Sequence, residues 1–197
     1  MEFEIKYEDY FENIINLNQI NFSEKYYKVF YKNGFVKKKV EYLNKEITRL
    51  IYYLDKPENL KDFLKENSEI SSIEIIEIEK IREYSKLTHR EYNDGIKYAN
   101  DGISVIDKNN KEIYYSSIIC NEEETNKYFY NENYEKIYTF WYYNKSTVSS
   151  IDTLNPKHRE YINEFKHSFT AEEFMNLPDV DWKNMKYYHN AEPIIPE

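Results

Sequence analysis

The chain is poor in glycine and proline and has a single cysteine, and each shortage removes a class of function. Of 197 residues, 3 are Gly, 5 are Pro and 1 is Cys. With so few glycines and neither a GxGxxG nor a Walker sequence, a phosphate-cradling loop has nothing to be built from, so nucleotide-dependent catalysis is not expected. Cys120 cannot form an internal disulfide, which fits a reducing compartment. It follows Ile118 and Ile119 and precedes three glutamates, a setting that raises a thiol pKa and favours a buried structural cysteine over a nucleophile. No apolar run approaches the roughly 20 residues that span a bilayer. Charges from Glu2 to Asp9 interrupt the amino terminus before a signal-peptide core forms. These absences point to a soluble, cytoplasmic protein with no membrane attachment.

What is abundant is aromatic and acidic. The 22 Tyr and 11 Phe suit strands, where broad rings pack on a pleated surface. The net charge of -9 disfavours general binding to phosphate backbones and suits a basic partner. The length allows a single globular domain over residues 1–197, or two closely packed units, 1–88 and 89–197, with the seam in the loop near Ser85 to Gly95.

The clearest local signal lies between Tyr26 and Asp55. Two apolar-aromatic runs meet at Asn33-Gly34, a pair that tolerates positive φ at both turn centres, and a third run follows Asn44-Lys45, which predicts a three-strand meander. Before it, Phe11, Ile14 and Ile15 are spaced for a short amphipathic helix over residues 8–19. After it, Pro57 can open a helix carrying Leu60, Phe63 and Leu64 on one face and ending at Asn67-Ser68. The stretch from Ile70 to Ile81 fits a strand with a bulge. Asn93-Asp94-Gly95 and Asn100-Asp101-Gly102 mark turns, and Ile103 to Asp107 pairs with Glu112 to Cys120 in a second meander. Asn121 ahead of Glu122, Glu123 and Glu124 looks like a capped helix reaching about Tyr130. Tyr134 to Tyr143, apolar on both faces, suits the centre of a sheet. Asn155-Pro156 opens a helix turning Tyr161, Ile162 and Phe165 inward. Thr170 to Glu173 is a capping box with Phe169 and Phe174 as its hydrophobic staple, and the residues from Asp179 onward form an irregular tail pinned by Trp182, Tyr187 and Tyr188. The fold class read from these signals is α+β, antiparallel β-meanders with short covering helices.

Candidates for chemistry are sparse. His89, His158, His167 and His189 share no metal-ligand or catalytic spacing, and HExxH is absent. The Asp-Asn-Gly turns lack the ligand positions of a calcium loop. Asp179 and Asp181 could pair as carboxylates, but no third ligand is in view. No catalytic residue, metal or cofactor is therefore assigned.

Charge distribution says more. Between Glu24 and Arg49 eight cations face three anions, a local balance of +5 that leaves -14 on the remainder. The partner-contact residues this nominates are Lys37, Lys38, Lys39, Arg49 and Tyr31, on a basic, tyrosine-decorated hairpin. Such a hairpin would meet an acidic patch or RNA phosphates, while acidic edges would mimic nucleic acid toward a basic enzyme. A plainer reading is a lysine-covered sheet edge that resists aggregation.

At the same place YKNG, EYLNKE and LIYYLD resemble the tyrosine-rich tandem hairpins of MORN-like repeat proteins, including bacterial antitoxin and immunity proteins. The resemblance spans about thirty residues, from 26 to 55, with Asn44-Lys45 in place of a second Asn-Gly. It implies a protein that binds and blocks. The leading expectation is thus a small acidic inhibitor, without enzymatic activity, that occludes a protein partner: an antitoxin, an immunity protein, or a phage inhibitor of a host nuclease such as a CRISPR effector. The alternatives are a hydrolase or nucleic-acid-processing enzyme using His158 and His167, and an RNA-binding module using the basic hairpin.

Overall fold

The computed structural model describes residues 3–55, 58–98, 101–119, 122–143, 147–159, 161 and 168–196. Strands make up 52% and helices 15%, so the α+β expectation is corrected to a β-rich, mostly antiparallel fold with a small helical component. The chain divides into two compact units, residues 1–78 with 88–101, and 79–87 with 102–197. Two of the three boundaries fall inside strands, Ser72–Ile81 and Tyr84–Asn93, and the third precedes the strand that begins at Gly102.

The first unit contains β1 (Glu4–Glu8), β2 (Ile14–Ile15), α1 (Leu17–Ile20), β3 (Lys25–Lys32), β4 (Phe35–Leu43), β5 (Glu46–Leu54) and α2 (Leu60–Glu66). β6 (Ser72–Ile81) and β7 (Tyr84–Asn93) belong partly to it, and β8 (Ile96–Lys97) pairs with β7. Strand order is β7-β6-β5-β4-β3-β1-β2. The expected meander is β3-β4-β5. Asn33 and Gly34 both take positive φ, 54° and 81°, the geometry a two-residue hairpin demands. Asn44 and Lys45 do the same at 51° and 71°, so a lysine sits where glycine is the easier choice.

One helix expectation fails in this unit, and one strand pairing was not foreseen. The helix over 8–19 shrinks to the four residues of α1, because asparagines at 13, 16, 18 and 21 prefer caps and turns. Asn16 caps α1 with its side chain, and Gln19 returns the bond. The bulge foreseen in β6 does not disturb its pairing with β5, whose register runs unshifted from Leu50↔Ile73 to Leu54↔Glu77. That pairing is parallel, which requires a crossover, and α2 supplies it. Asn59 caps α2; Pro57, expected in its first turn, lies outside the described residues. Leu60, Phe63 and Leu64 pack on the core of Val40, Leu50, Ile70, Ile73, Ile75 and Tyr92 as foreseen.

The second unit contains β9 (Gly102–Ile106), β10 (Glu112–Ile119), β11 (Glu122–Tyr130), β12 (Lys136–Tyr143), β13 (Val148–Thr153), α3 (Pro156–Arg159) and α4 (Ala171–Met175), antiparallel in chain order. The expected β9-β10 pair forms. The helix expected after Asn121 is instead β11, paired with β10 on one side and β12 on the other. Two ladders of tertiary pairing outweigh a local capping signal. β12 lies inside the sheet as expected, but only one face is buried: Tyr138, Phe140 and Tyr142 are in the core while Tyr143 is exposed. α3 is a single turn, and Tyr161 is exposed instead of inward; Ile162 and Phe165 lie outside the described residues, as does Cys120. The Thr170 capping box is present, and Phe169 and Phe174 meet at 6.4 Å.

The tail of this unit forms two 3-10 turns, Trp182–Asn184 and Lys186–Tyr188, and is fastened largely through β11 and β12. Lys127 on β11 is fully buried, and its Nζ donates to the carbonyls of Tyr187, Asn190 and Pro193 at 2.7 to 2.8 Å. It lies 3.9 Å from the Tyr187 ring centroid. Burial pushes its pKa down to about 7, with the charge of Glu192 acting in the opposite sense. Tyr142 Oη donates to the Tyr188 carbonyl and Tyr187 Oη to that of Ile194.

Replacing Lys127 by Met strands three carbonyls, so we expect a loss of about 3 kcal/mol in urea unfolding and early proteolysis of the tail. Burial also raises the pKa of Tyr128 to about 12 and those of Tyr142, Tyr187 and Tyr188 further. Folded values above the unfolded value of about 10 mean that stability is intact below pH 10 and falls as pH rises beyond it. The urea midpoint should drop steeply between pH 10 and 12, and less steeply in Tyr142→Phe.

Candidate functional site

The cations nominated by sequence are drawn into the fold. Lys37 on β4 is 6% exposed, and its Nζ donates to the Tyr53 carbonyl, Asp55 and Glu58 at 2.6 to 2.8 Å. Burial opposes its charge, yet Asp55 and Glu58 more than offset this and hold its pKa above the ordinary lysine value. Lys39 donates to Glu8 and Glu12, and Glu8 also accepts from Tyr31 Oη. Arg49 on β5 bridges Glu74 and Glu91. Lys25 pairs with Glu41, which also accepts from Tyr27 and Thr48. Lys38 is different: among the described residues it has no carboxylate partner, and it lies 4.7 Å from the Phe30 ring centroid with Lys28 on the same ring. Burial and the charge of Lys28 lower its pKa. The local excess of +5 is thus largely consumed by carboxylates from β1 and the loop after it, β4, β6, β7 and the turn after β5, and among the described residues Lys28, Lys38 and Lys45 are the nominated region's cations without a carboxylate partner.

The histidines are held as structural groups. His158 is buried; its Nε2 donates to the Pro178 carbonyl, and its Nδ1 meets Tyr138 Oη, which in turn accepts from Asn155. His189 is bonded to the Trp182 carbonyl and stacks on the Trp182 ring. His167 lies outside the described residues. His89, given no role by its sequence spacing, forms the one arrangement with catalytic overtones: its Nδ1 donates to Glu74 Oε1 at 2.8 Å, while its sheltered Nε2 has no hydrogen-bond partner. Burial works against ionisation of Glu74, but His89 and Arg49 hold its carboxyl below the usual range. Among the described residues no hydroxyl or thiol bonds to His89 Nε2, and no group of three His, Cys, Asp or Glu is placed to hold a metal. Asp181 accepts from the Asn184 amide.

In the second unit a cavity of about 340 Å³ is lined by Tyr128, Lys136, Ile137, Trp141, Asp152 and Leu154 among others. Its polar groups answer one another: Trp141 Nε1 donates to Asp152 at 2.8 Å, and Lys136 lies 4.8 Å from the Tyr128 ring centroid. It offers a ligand little that is not already engaged.

The remaining feature is a run of exposed, mostly apolar side chains, in which Tyr10 meets Phe11 and carries Lys25 Nζ 4.9 Å from its ring centroid. Between β1 and β3, Tyr10, Phe11, Ile14, Leu17 and Phe22 are 62%, 80%, 69%, 66% and 89% exposed. Asp9 fixes the loop that presents them, accepting from the backbone amides of Phe11 and Asn13 and from the Asn13 side chain; these bonds hold its pKa below the ordinary value. Asn16 and Gln19 fix the turn of α1. The loop is therefore shaped by its own polar residues while its large apolar ones face outward. Sequence reading assigned Phe11, Ile14 and Ile15 to a buried helix face and so missed this surface; the asparagine spacing was the signal that could have exposed it. No protein-family model, no curated protein and no solved structure matches the chain.

Because Lys37 is enclosed and Lys38 is not paired, Lys37→Met should lower stability by about 2 kcal/mol in urea unfolding, and Lys38→Met by no more than about 0.5 kcal/mol.

Proposed function

We propose that the protein is a small acidic inhibitor that binds a protein partner and occludes it, in the manner of an antitoxin, an immunity protein or a phage inhibitor of a host nuclease. The observation that carries this reading is the exposed apolar surface from Tyr10 to Phe22. Large exposed apolar side chains held close together mark interaction sites, whereas single ones do not. Covering one Phe, Leu or Ile is worth about 1.5 to 3 kcal/mol, so five together match the roughly 4 to 15 kcal/mol lost on association. The acidic balance and the likeness of the meander to MORN-like antitoxin and immunity hairpins support the same reading. The ion-paired state of Lys37, Lys39 and Arg49 gives them the role of holding the sheet, and leaves Lys38 with Phe30 as the part of the basic hairpin open to a partner.

The test is a stoichiometric complex without turnover. Purified protein should retain one partner from lysate of its native host and protect cells against the toxin or nuclease so identified. Phe11→Ser with Phe22→Ser should stay folded, since both rings are exposed, and weaken the complex at least tenfold. Absence of both capture and protection by the unaltered protein overturns the function; undiminished binding by the double variant overturns the surface.

A further inference from the structure

Two lysines of the meander, Lys28 and Lys38, bear on the chemistry of the partner, an inference that rests on the proposed function. Cross-strand pairing sets Ile5 opposite Phe30, Phe30 opposite Lys38 and Lys28 opposite Val40. Residues paired in this way share a face, so Ile5, Lys28, Phe30 and Lys38 lie on the face of the sheet whose Val40 and Leu50 pack with α2. Toward β1 that face is partly open. Phe3 and Ile5 are 47% and 45% exposed, and Phe3 meets the Phe30 ring edge-on at 6.0 Å. Lys28 and Lys38, both half-buried, place their ammonium groups 5.2 and 4.7 Å from the centroid of that same ring.

Burial opposes the charge of Lys38 and the ammonium of Lys28 repels it, so its pKa is lowered. The face of the Phe30 ring offsets part of this cost. Among the described residues no carboxylate offsets the rest, and the chain does not lack carboxylates. Asp and Glu number 36 against 27 Lys and Arg, and in the same meander Lys25, Lys32, Lys37, Lys39 and Arg49 each have an acidic partner. Glu58 accepts from Tyr52, which lies opposite Lys38, yet its carboxylate is bonded to Lys37. Lys45, also without an acidic partner, sits in an exposed turn where water solvates it. Lys28 and Lys38 are instead held side by side on an aromatic shelf, as two fixed charges of one sign.

We propose that this shelf receives an acidic segment of the partner, one or two carboxylates beside a large apolar side chain. The carboxylates meet Lys28 and Lys38, and the apolar group lies on Phe3 and Ile5 at the rim of Phe30. Nucleic acid is the poorer occupant, because two cations offer it few phosphate contacts and the net charge of -9 repels a polyanion from the rest of the molecule.

The probe is a doubly capped pentapeptide, glycine-glutamate-phenylalanine-glutamate-glycine, titrated against the isotope-labelled full chain and followed by NMR. A peptide with glutamine in place of glutamate is the control, and an oligothymidylate tests the competing chemistry. The glutamate peptide should bind about fivefold tighter than the glutamine peptide and weaken as salt rises. It should shift the amides of Lys28, Phe30 and Lys38 and raise the pKa of Lys38, since a bound anion favours the ammonium form. Lys28→Met with Lys38→Met breaks no ion pair printed by the fold and should stay folded, lose the preference between peptides and weaken capture of the native partner about tenfold. Lys28→Arg with Lys38→Arg should keep both. Equal binding of the two peptides, binding of neither, or tighter binding of the oligothymidylate overturns the inference. Self-association of the unaltered chain in sedimentation, abolished by the double methionine variant, overturns it in favour of a second copy. Undiminished capture of the native partner by that variant removes the shelf and leaves the proposed function standing; absence of both capture and protection by the unaltered chain removes both.

Discussion

Each unit of this protein depends on giving oxygen ligands to an ammonium group that sheet packing has buried. A lysine out of water without partners is among the costliest arrangements available to a fold, so the surrounding chain has to come to it. Around Lys37 the carbonyl of Tyr53, then Asp55 and Glu58, converge at the end of β5. Glu58 also accepts from the Asp55 amide and from Tyr52 Oη, and Tyr52 stacks on Phe63 of α2 at 4.0 Å. The turn that begins the parallel crossover is thereby fixed by the same charge that it satisfies. Around Lys127 the logic runs from the other side. Irregular backbone has carbonyls without ladder partners, and one ammonium provides donors for three of them.

This constraint changes the meaning of the charge count. Read along the chain, Glu24 to Arg49 is a basic island; read in space, its cations meet Glu8, Glu12, Glu74 and Glu91 brought in from other parts of the chain. A sheet brings together residues distant in sequence at fixed cross-strand distances, so linear charge density is a poor guide to surface potential. Partner capture through Lys37, Lys39 and Arg49 would have to break pairs of about 3 Å that already exist, whereas covering Phe11, Ile14, Leu17 and Phe22 breaks no ion pair.

The fold was legible where a signal is local and dominant. Asn33-Gly34, the Thr170 capping box and the aromatic run of β12 each carry their geometry within a few residues, and the structure has the hairpin, the cap and the inner strand. It was illegible where pairing decides. Asn121 with three glutamates reads as a helix start, yet Glu122 to Glu124 open β11, which pairs with β10 and, from Glu124 on, with β12 as well. The parallel β5-β6 pair had no local mark at all, since Ile73 and Ile75 look the same in either direction. Of the nominated contact residues, sequence located the cations but could not see their carboxylates, and it took the apolar loop for a core helix.

The tyrosine excess finally separates structural from functional surface. Tyrosine hydroxyls here serve as tethers: Tyr27 to Glu41, Tyr31 to Glu8, Tyr52 to Glu58, Tyr130 to the Glu112 carbonyl, Tyr142 to that of Tyr188. A ring with such a tether can lie half-buried at little cost, because its apolar body packs while its polar tip is satisfied. Phe11, Ile14, Leu17 and Phe22 have no polar tip, and exposure brings them no compensation. Purely apolar residues are exposed elsewhere as well, Phe35 and Ile96 among them, but from Phe11 to Phe22 four fall within twelve residues. Under the proposed function, the partner's footprint falls on these residues, which no contact within the protein explains.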